Sequence, residues 1–385
     1  MSSQRDAAGS RPSVLFLNNQ GLKSIGGGPT ILRHLVRGLA QDFDVTVLSY
    51  DPPASGFDGV RQVSMPAPPR FKFWRFAPML RAKYLRNSGP VSEIKAADVV
   101  IAFDPHFAPL LRRVRPKRFV YLSLSCVARQ EWFAAGDLSG ALFAAQYAWL
   151  ERRIAKVSDA VIVSSTTHGE ELQRVLRLRD IRLFVLYPIF DDTRRGLLDQ
   201  AAQKTFVLAA GRLNPVKNYQ AVIEMASRLG DLDCKFVIVG DGPELQSLQR
   251  KVAQEGLSDR VIIAGPIMDV RPLLASAILF LHPSRYESFG IAIYEAMRAG
   301  VAPVCSSTAI CGIRELLTPD VDSMFVDFDR PDEAAQVLRG LLADRTRCKQ
   351  IGIAALETSE RVLAHDYVME FRNVLSTLET GARAA

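Results

Sequence analysis

Two carboxylates, Glu287 and Glu295, bracket a Ser288-Phe289-Gly290 turn. Carboxylates at such a turn can accept hydrogen bonds from the hydroxyls of a sugar or a ribose. Before them, Ile278–Leu281 reads as a buried strand, which Pro283-Ser284 breaks. After them, Ile291, Tyr294 and Met297 have helical spacing, and Gly300 is placed to end the helix at its C′ position. The unit is strand, loop, helix. Ser288 is expected to cap the helix, with Glu287 in the loop and Glu295 a turn or more inside. A helix start offers free amides and partial positive charge, which suits a phosphate.

A second group lies upstream. Thr205–Ala210 reads as a strand running into Gly211-Arg-Leu-Asn-Pro-Val-Lys217. Gly211 permits close backbone approach. Arg212 offers a fork for phosphate oxygens and Lys217 a point charge, at a strand end where open α/β sheets bind ligands. The form repeats at Lys235–Val239 with Gly240-Asp-Gly-Pro-Glu244, and again from Arg260 to Gly265-Pro266-Ile267.

These elements need a scaffold of alternating strands and helices. The first half supplies the same rhythm. Ser13–Leu17 is a strand, Asn18–Thr30 a glycine-rich loop, and Ile31, Leu35 and Leu39 a helix face entered at Pro29. Asp44–Leu48 is the next strand. Further strands are expected at 97–103, 119–124 and 160–163, with a helix from Ala141 to Lys156. The glycines at 26–28 do not spell a dinucleotide fingerprint. His106, at a strand end, reads as structural.

The spacing Glu287-x7-Glu295 with Ser-Phe-Gly inside resembles the signature of retaining glycosyltransferases of the GT-B fold, family 4 (group 1). His282-Pro-Ser-Arg-Tyr-Glu before it and Gly300-Val-Ala-Pro-Val304, Gly312-Ile-Arg-Glu315 and Asp322–Val326 after it follow in the family's order. The resemblance covers most of Thr205–Leu342 closely and the first half loosely. It implies an α/β protein of two Rossmann-like doubly wound domains facing a cleft. It implies that Arg212 and Lys217 grip the donor diphosphate and that Glu287 holds the sugar hydroxyls, these three being the catalytic set. The donor-binding set is Gly211, Gly240, Gly265, Pro266, Ile267, Ser288, Phe289, Gly290 and Glu295, with Gly27 and Gly28 across the cleft. Glu295 would take the ribose, and the 265–267 loop the base. Family members often carry a histidine after the strand at 119–124. Here that place holds Ser123, Ser125 and Cys126.

The expected domains are 1–190 on the acceptor side, a linker at 191–203, a nucleotide-sugar domain at 204–364, and a last helix at 365–385 returning to the first. At 385 residues two cores are expected. Hydrophobic content of 48% and charged content of 23% fit an ordinary globular protein. Five scattered cysteines form no Cys-x2-Cys pair. Asp327-Phe-Asp329 is too short a signal for a metal, and no metal or cofactor is expected beyond the donor itself. The polar opening lacks the apolar core of a signal peptide, and no run approaches ~18 apolar residues.

Net charge is +7, and residues 61–92 contain no acid among seven cations. Phe71, Phe73, Trp74 and Phe76 stand between Arg70, Lys72 and Arg75. That pattern fits a basic interfacial helix, which Pro78 would split in two. It suggests peripheral contact with an anionic membrane rather than nucleic acid, for which no module is present. The expected activity is transfer of a hexosyl group from a GDP- or UDP-linked donor to a glycan or lipid-linked acceptor in surface polysaccharide or glycolipid assembly. The site would be cytoplasmic, at the inner face of the membrane. The rivals are an epimerase or hydrolase on the same fold, and an inactive donor-binding subunit.

Overall fold

The computed structural model describes residues 11–23, 26–66, 78–135, 138–189, 205–267, 269–363 and 365–379. Seven parallel strands form the first sheet: β1 (Ser13–Leu17), β2 (Asp44–Ser49), β3 (Arg61–Ser64), β4 (Val99–Ala102), β5 (Phe119–Leu122), β6 (Ala160–Val163) and β7 (Leu183–Val185). Their order is β3-β2-β1-β4-β5-β6-β7. Helices α1 (Gly27–Leu39), α2 (Pro78–Ser88), α3 (Val91–Ala96), α4 (Ala108–Val114), α5 (Val127–Ala135), α6 (Leu138–Val157) and α7 (Thr166–Leu176) cover it. The central strands are buried on both faces, so β4, β5 and β6 read as unbroken apolar runs.

The second sheet contains β8 (Phe206–Ala210), β9 (Lys235–Val239), β10 (Val261–Ile263) and β11 (Ala277–His282). A short pair, β12 (Tyr286–Glu287) and β14 (Ile310–Cys311), flanks β13 (Ala302–Ser306) in sequence, and β15 (Met324–Val326) closes the sheet. The order is β10-β9-β8-β11-β13-β15, again parallel. Its helices are α8 (Tyr219–Arg228), α9 (Leu245–Gln254), α10 (Arg271–Ser276), α11 (Ile291–Arg298), α12 (Pro331–Ala343) and α13 (Arg345–Val362). The last helix, α14 (Tyr367–Glu379), leaves this domain. Its Tyr367, Phe371, Val374 and Leu375 join the core that α1 forms with the first sheet.

Each sheet has a switch point where consecutive connections run to opposite sides, β1/β4 in the first and β8/β11 in the second. Open α/β sheets bind ligands beyond the strand ends at such points.

The acid-free stretch 61–92 begins with an edge strand that the sequence did not mark, Arg61–Ser64, paired with β2. Pro78 is the first described residue of α2, and what immediately precedes it lies outside the described residues. The aromatic core of that stretch, with Arg70, Lys72 and Arg75, lies outside the described residues, as does the 191–203 linker. In α2 itself Leu80 and Tyr84 are one turn apart on the same side, Leu80 exposed and Tyr84 half-buried.

Candidate active site

The loops after β8 and β11 meet at the second switch point. Gly211 follows β8 with φ 150°, and an added Cβ would lie 2.7 Å from the Tyr219 hydroxyl. Gly240 follows β9 with φ 154°, and its Cβ would overlap the Gly211 carbonyl oxygen at 1.8 Å. The two strand ends approach this closely only as glycines. Gly265 accepts a bond from Gly240 N at 2.9 Å and has φ 67°. Pro266 beside it is exposed, and Ile267 packs partly on the domain core.

Pro215–Lys217 forms a single 3-10 turn, and Asn218, at φ 55°, turns the chain into α8. This aims Lys217 at β12, where its Nζ donates to Glu287 Oε1. The Ser284 hydroxyl lies 3.4 Å from the same oxygen and His282 Nε2 3.1 Å from it. Burial, then the Lys217 charge, hold the His282 imidazole well below its usual range, so the ring is neutral. Burial also pulls the Lys217 ammonium down to about 8, while the Glu287 carboxylate favours its charged form. Arg212, in the same loop after β8, is exposed. Glu131 of α5, in the first domain, is its charged neighbour: burial pushes the Glu131 carboxyl up and Arg212 opposes the shift.

The turn before α11 departs from expectation. Ser288 does not cap the helix. Gly290, at φ 109°, occupies the N-cap position without a side-chain bond. Glu287 is not in a loop but in β12, paired with β14. Ser288 Oγ instead reaches the first domain and donates to the Leu124 carbonyl. Phe289 is buried, with its ring 6.0 Å from Tyr187. Glu295 lies one turn inside α11 and is half-buried. Ala299 ends the helix and Gly300, at φ 63°, supplies the left-handed residue after it.

The first domain closes over this turn. A Cβ on Gly27 would sit 3.2 Å from Ile291 Cδ1, and one on Gly28 3.1 Å from Leu124 Cδ1. Gly27 and Gly28, expected in a loop, are the first two residues of α1, and Gly27 abuts the start of α11 across the cleft. Val216 and Tyr286, both 1% exposed, lie in the first domain's core rather than their own. Cys126 N donates to the Tyr286 hydroxyl at 3.0 Å.

Sequence reasoning missed His282, Ser284 and Glu131. His282 ends a continuous apolar strand five residues before Glu287, which is the one signal that marks it. At the site that lacks the family's histidine, Ser123 Oγ lies 3.3 Å from Nε2 of His168, a residue of α7. Ser164 Oγ lies 3.0 Å from its Nδ1. Burial holds this ring at about 3, so it is a neutral, enclosed group. His106 is also enclosed, its backbone amide bonded to Asp104 at 2.9 Å. Among the described residues no group of three or more His, Cys, Asp or Glu could hold a metal. No helix among them is long and apolar enough to cross a membrane.

Two family models match consecutive parts of the chain: glycosyl transferase 4-like domain over 26–188, and glycosyl transferases group 1 over 192–358. The chain belongs to the group 1 glycosyltransferases of family 4 and has the GT-B fold. It superimposes on sucrose-phosphate synthase from Thermosynechococcus elongatus with a TM-score of 0.76 at 19% identity, covering 97% of this chain and 100% of that one. It also superimposes on Anabaena HepE, solved in complex with UDP and glucose (TM-score 0.72, 20% identity, 96% and 99% covered). Among curated sequences it is 27% identical to N-acetylgalactosamine-N,N'-diacetylbacillosaminyl-diphospho-undecaprenol 4-alpha-N-acetylgalactosaminyltransferase of Campylobacter jejuni, over 49% of this chain and 52% of that protein. The chain spans about half the length of the curated relatives it matches.

Proposed function

We propose that the chain transfers a hexosyl group from a nucleotide-diphosphate sugar to an acceptor hydroxyl, with retention and without a metal. The observation that carries this is the convergence of Lys217, Glu287 and the start of α11 at the second switch point, opposite Gly27 and Gly28. In the reaction the bond from the sugar's anomeric carbon to the diphosphate oxygen breaks, and a bond to the acceptor oxygen forms on the same face. The acceptor proton passes to the departing phosphate. Negative charge grows on that phosphate, so fixed positive groups lower the barrier. Arg212, Lys217 and the amides at the α11 start would supply them. Glu287 would hold the sugar hydroxyls and Glu295 the ribose. An arriving diphosphate competes with Glu287 for the Lys217 ammonium, which frees the carboxylate for the sugar.

The donor is UDP- or GDP-linked. HepE's complex with UDP and glucose supports the first. The acceptor is a glycan or lipid-linked glycan, a class named in the Campylobacter relative. The protein would act at an anionic membrane surface from the cytoplasm through 61–92. The described part of that stretch exposes Met79, Leu80, Lys83 and Arg86 on α2, which carries no acid. Trp132 and Leu142, on the neighbouring α5 and α6, are more than half exposed. Aromatic and basic side chains together favour the interface. Co-sedimentation with anionic vesicles tests this. Binding should fall with salt and fall again when Arg70, Lys72 and Arg75 become glutamate. A protein that ignores such vesicles has a soluble acceptor.

A further inference from the structure

The Gly312-Ile-Arg-Glu315 block takes no part in the chemistry above, yet both its ends meet the first domain. The first amides of a helix lack intrahelical partners. In α7 the first intrahelical bond runs from Gly169 N to Ser165 O at 3.0 Å. Three amides precede it. His168 N is capped by Ser165 Oγ at 3.0 Å. Thr166 N and Thr167 N are capped from the other domain, by the Glu315 carboxylate at 3.1 and 2.5 Å. Tyr187, near the end of the first domain's chain, donates to the same carboxylate at 2.7 Å. A negative charge at a helix start is favoured by the helix dipole. Burial opposes ionisation of Glu315, but the bonds from Thr167, Tyr187 and Thr166 outweigh it, and the carboxyl lies below its ordinary range. The α7 start is thus filled by protein and is not a ligand site.

The other end of the block works by absence. A Cβ on Gly312 would lie 2.3 Å from both Ser165 Oγ and the Ser288 carbonyl oxygen. Without it, Ser165 Oγ donates to Ser288 O at 2.7 Å. One hydroxyl therefore caps α7 and also holds the turn that leads into α11. The Ser288 hydroxyl binds Leu124 of the first domain in the same seam.

We propose that Gly312 and Glu315 form an interdomain latch, which pins α7 to the Ser288-Phe289-Gly290 turn and fixes the closed cleft. Glu315 is a positioning residue that acts through α7 and this turn. Its effect on rate rests on the glycosyl-transfer reading, whereas its effect on closure does not. The test is small-angle scattering of the wild type and Glu315→Gln, alone and with UDP or GDP, beside titrations of both nucleotides. Glutamine keeps the shape but loses the charge and turns an amino group toward one of the two amides. The variant should stay folded and show a larger radius of gyration. Its nucleotide affinity should fall less than its turnover, because Arg212 and Lys217 stand on the second domain's own loop after β8, while the turn into α11 is what shifts. Turnover should fall by on the order of tenfold to 10²-fold, as expected for displaced reacting groups. Gly312→Ala should open the cleft likewise, and the double variant no further, since both release one seam. Wild-type scattering in Glu315→Gln, or nucleotide affinity lost as steeply as turnover, would overturn the latch. If neither nucleotide binds the wild type, the transfer reading fails, and the scattering comparison still decides the latch.

Discussion

Lys217 donates a hydrogen bond to Glu287, a residue 70 positions later, and so joins the loop after β8 to the strand after β11. With Nε2 of His282 3.1 Å from Glu287, the contact gathers a cation, a carboxylate and a neutral imidazole at one strand edge.

If Lys217 clamps the departing diphosphate, Lys217→Ala should weaken nucleotide binding and lower turnover by on the order of 10²-fold. Arg212→Ala should act in the same direction. Glu287→Gln should lower turnover while leaving nucleotide affinity in place, because its partner would be the sugar. Steady-state kinetics beside nucleotide titration separate these effects. Equal loss of both quantities in Glu287→Gln would return that residue to a structural role.

Nucleotide affinity should depend on pH through Lys217. Burial sets its ammonium at about 8, below the usual 10.5. The charged form binds phosphate, so affinity is complete below pH 8 and falls above it, by up to ~10-fold per pH unit. The terminal phosphate, with a pKa of about 6, has already ionised there. Lys217→Arg keeps its charge and should flatten the profile. Titration between pH 7 and 9.5 reads both curves, and a wild-type curve as flat as the variant's would dismiss the lysine as the titrating group.

Two glycines should differ sharply. At Gly240 an alanine Cβ would overlap the Gly211 carbonyl oxygen, and φ is 154° besides. Gly240→Ala should cost more than ~3 kcal/mol and fail to give stable protein. At Gly265 φ is 67° with nothing within 4 Å. Gly265→Ala should cost only ~1–2 kcal/mol, the strain of the left-handed region. Thermal melting distinguishes them, and similar melting temperatures would refute the close approach of β8 and β9.

Much of this arrangement was legible in the sequence. The central strands of both sheets are continuous apolar runs because parallel strands are buried on both faces, as in β4 and β11. The spacing of Arg212, Lys217, Glu287 and Glu295 identified the loops that meet. The edge strands β3 and β7 were missed because they are short and only half-buried. The cap of α11 was misplaced because a serine before a helix usually caps it, while here Gly290 takes the turn and frees Ser288 for Leu124. Contacts between domains leave no periodic trace. Tyr286 and Cys126 are 160 residues apart, and nothing local marks Tyr286 for the other domain's core.

Acid should destabilise the fold through its enclosed histidines. His168 is held at about 3 by burial, against 6.5 for the free group. Between those values the unfolded chain binds the proton and the folded chain does not. Its contribution is therefore complete above pH 6.5 and is lost as pH falls toward 3, at up to ~1.4 kcal/mol per unit. His282 acts in the same direction. Denaturant unfolding at pH 7 and pH 5 should show a steeper acid loss in wild type than in His168→Gln. Parallel losses would mean that His168 is charged in the fold.

The central claim is transfer of a sugar from a nucleotide diphosphate by protein groups alone. Its most direct test follows UDP- and GDP-sugars by NMR with an acceptor mixture, in EDTA, for wild type and Lys217→Ala. The account predicts a product with the donor's anomeric configuration, formed in EDTA and reduced by about 10²-fold in the variant. An inverted product, an activity that EDTA abolishes and magnesium or manganese restores, or full activity in Lys217→Ala would contradict it.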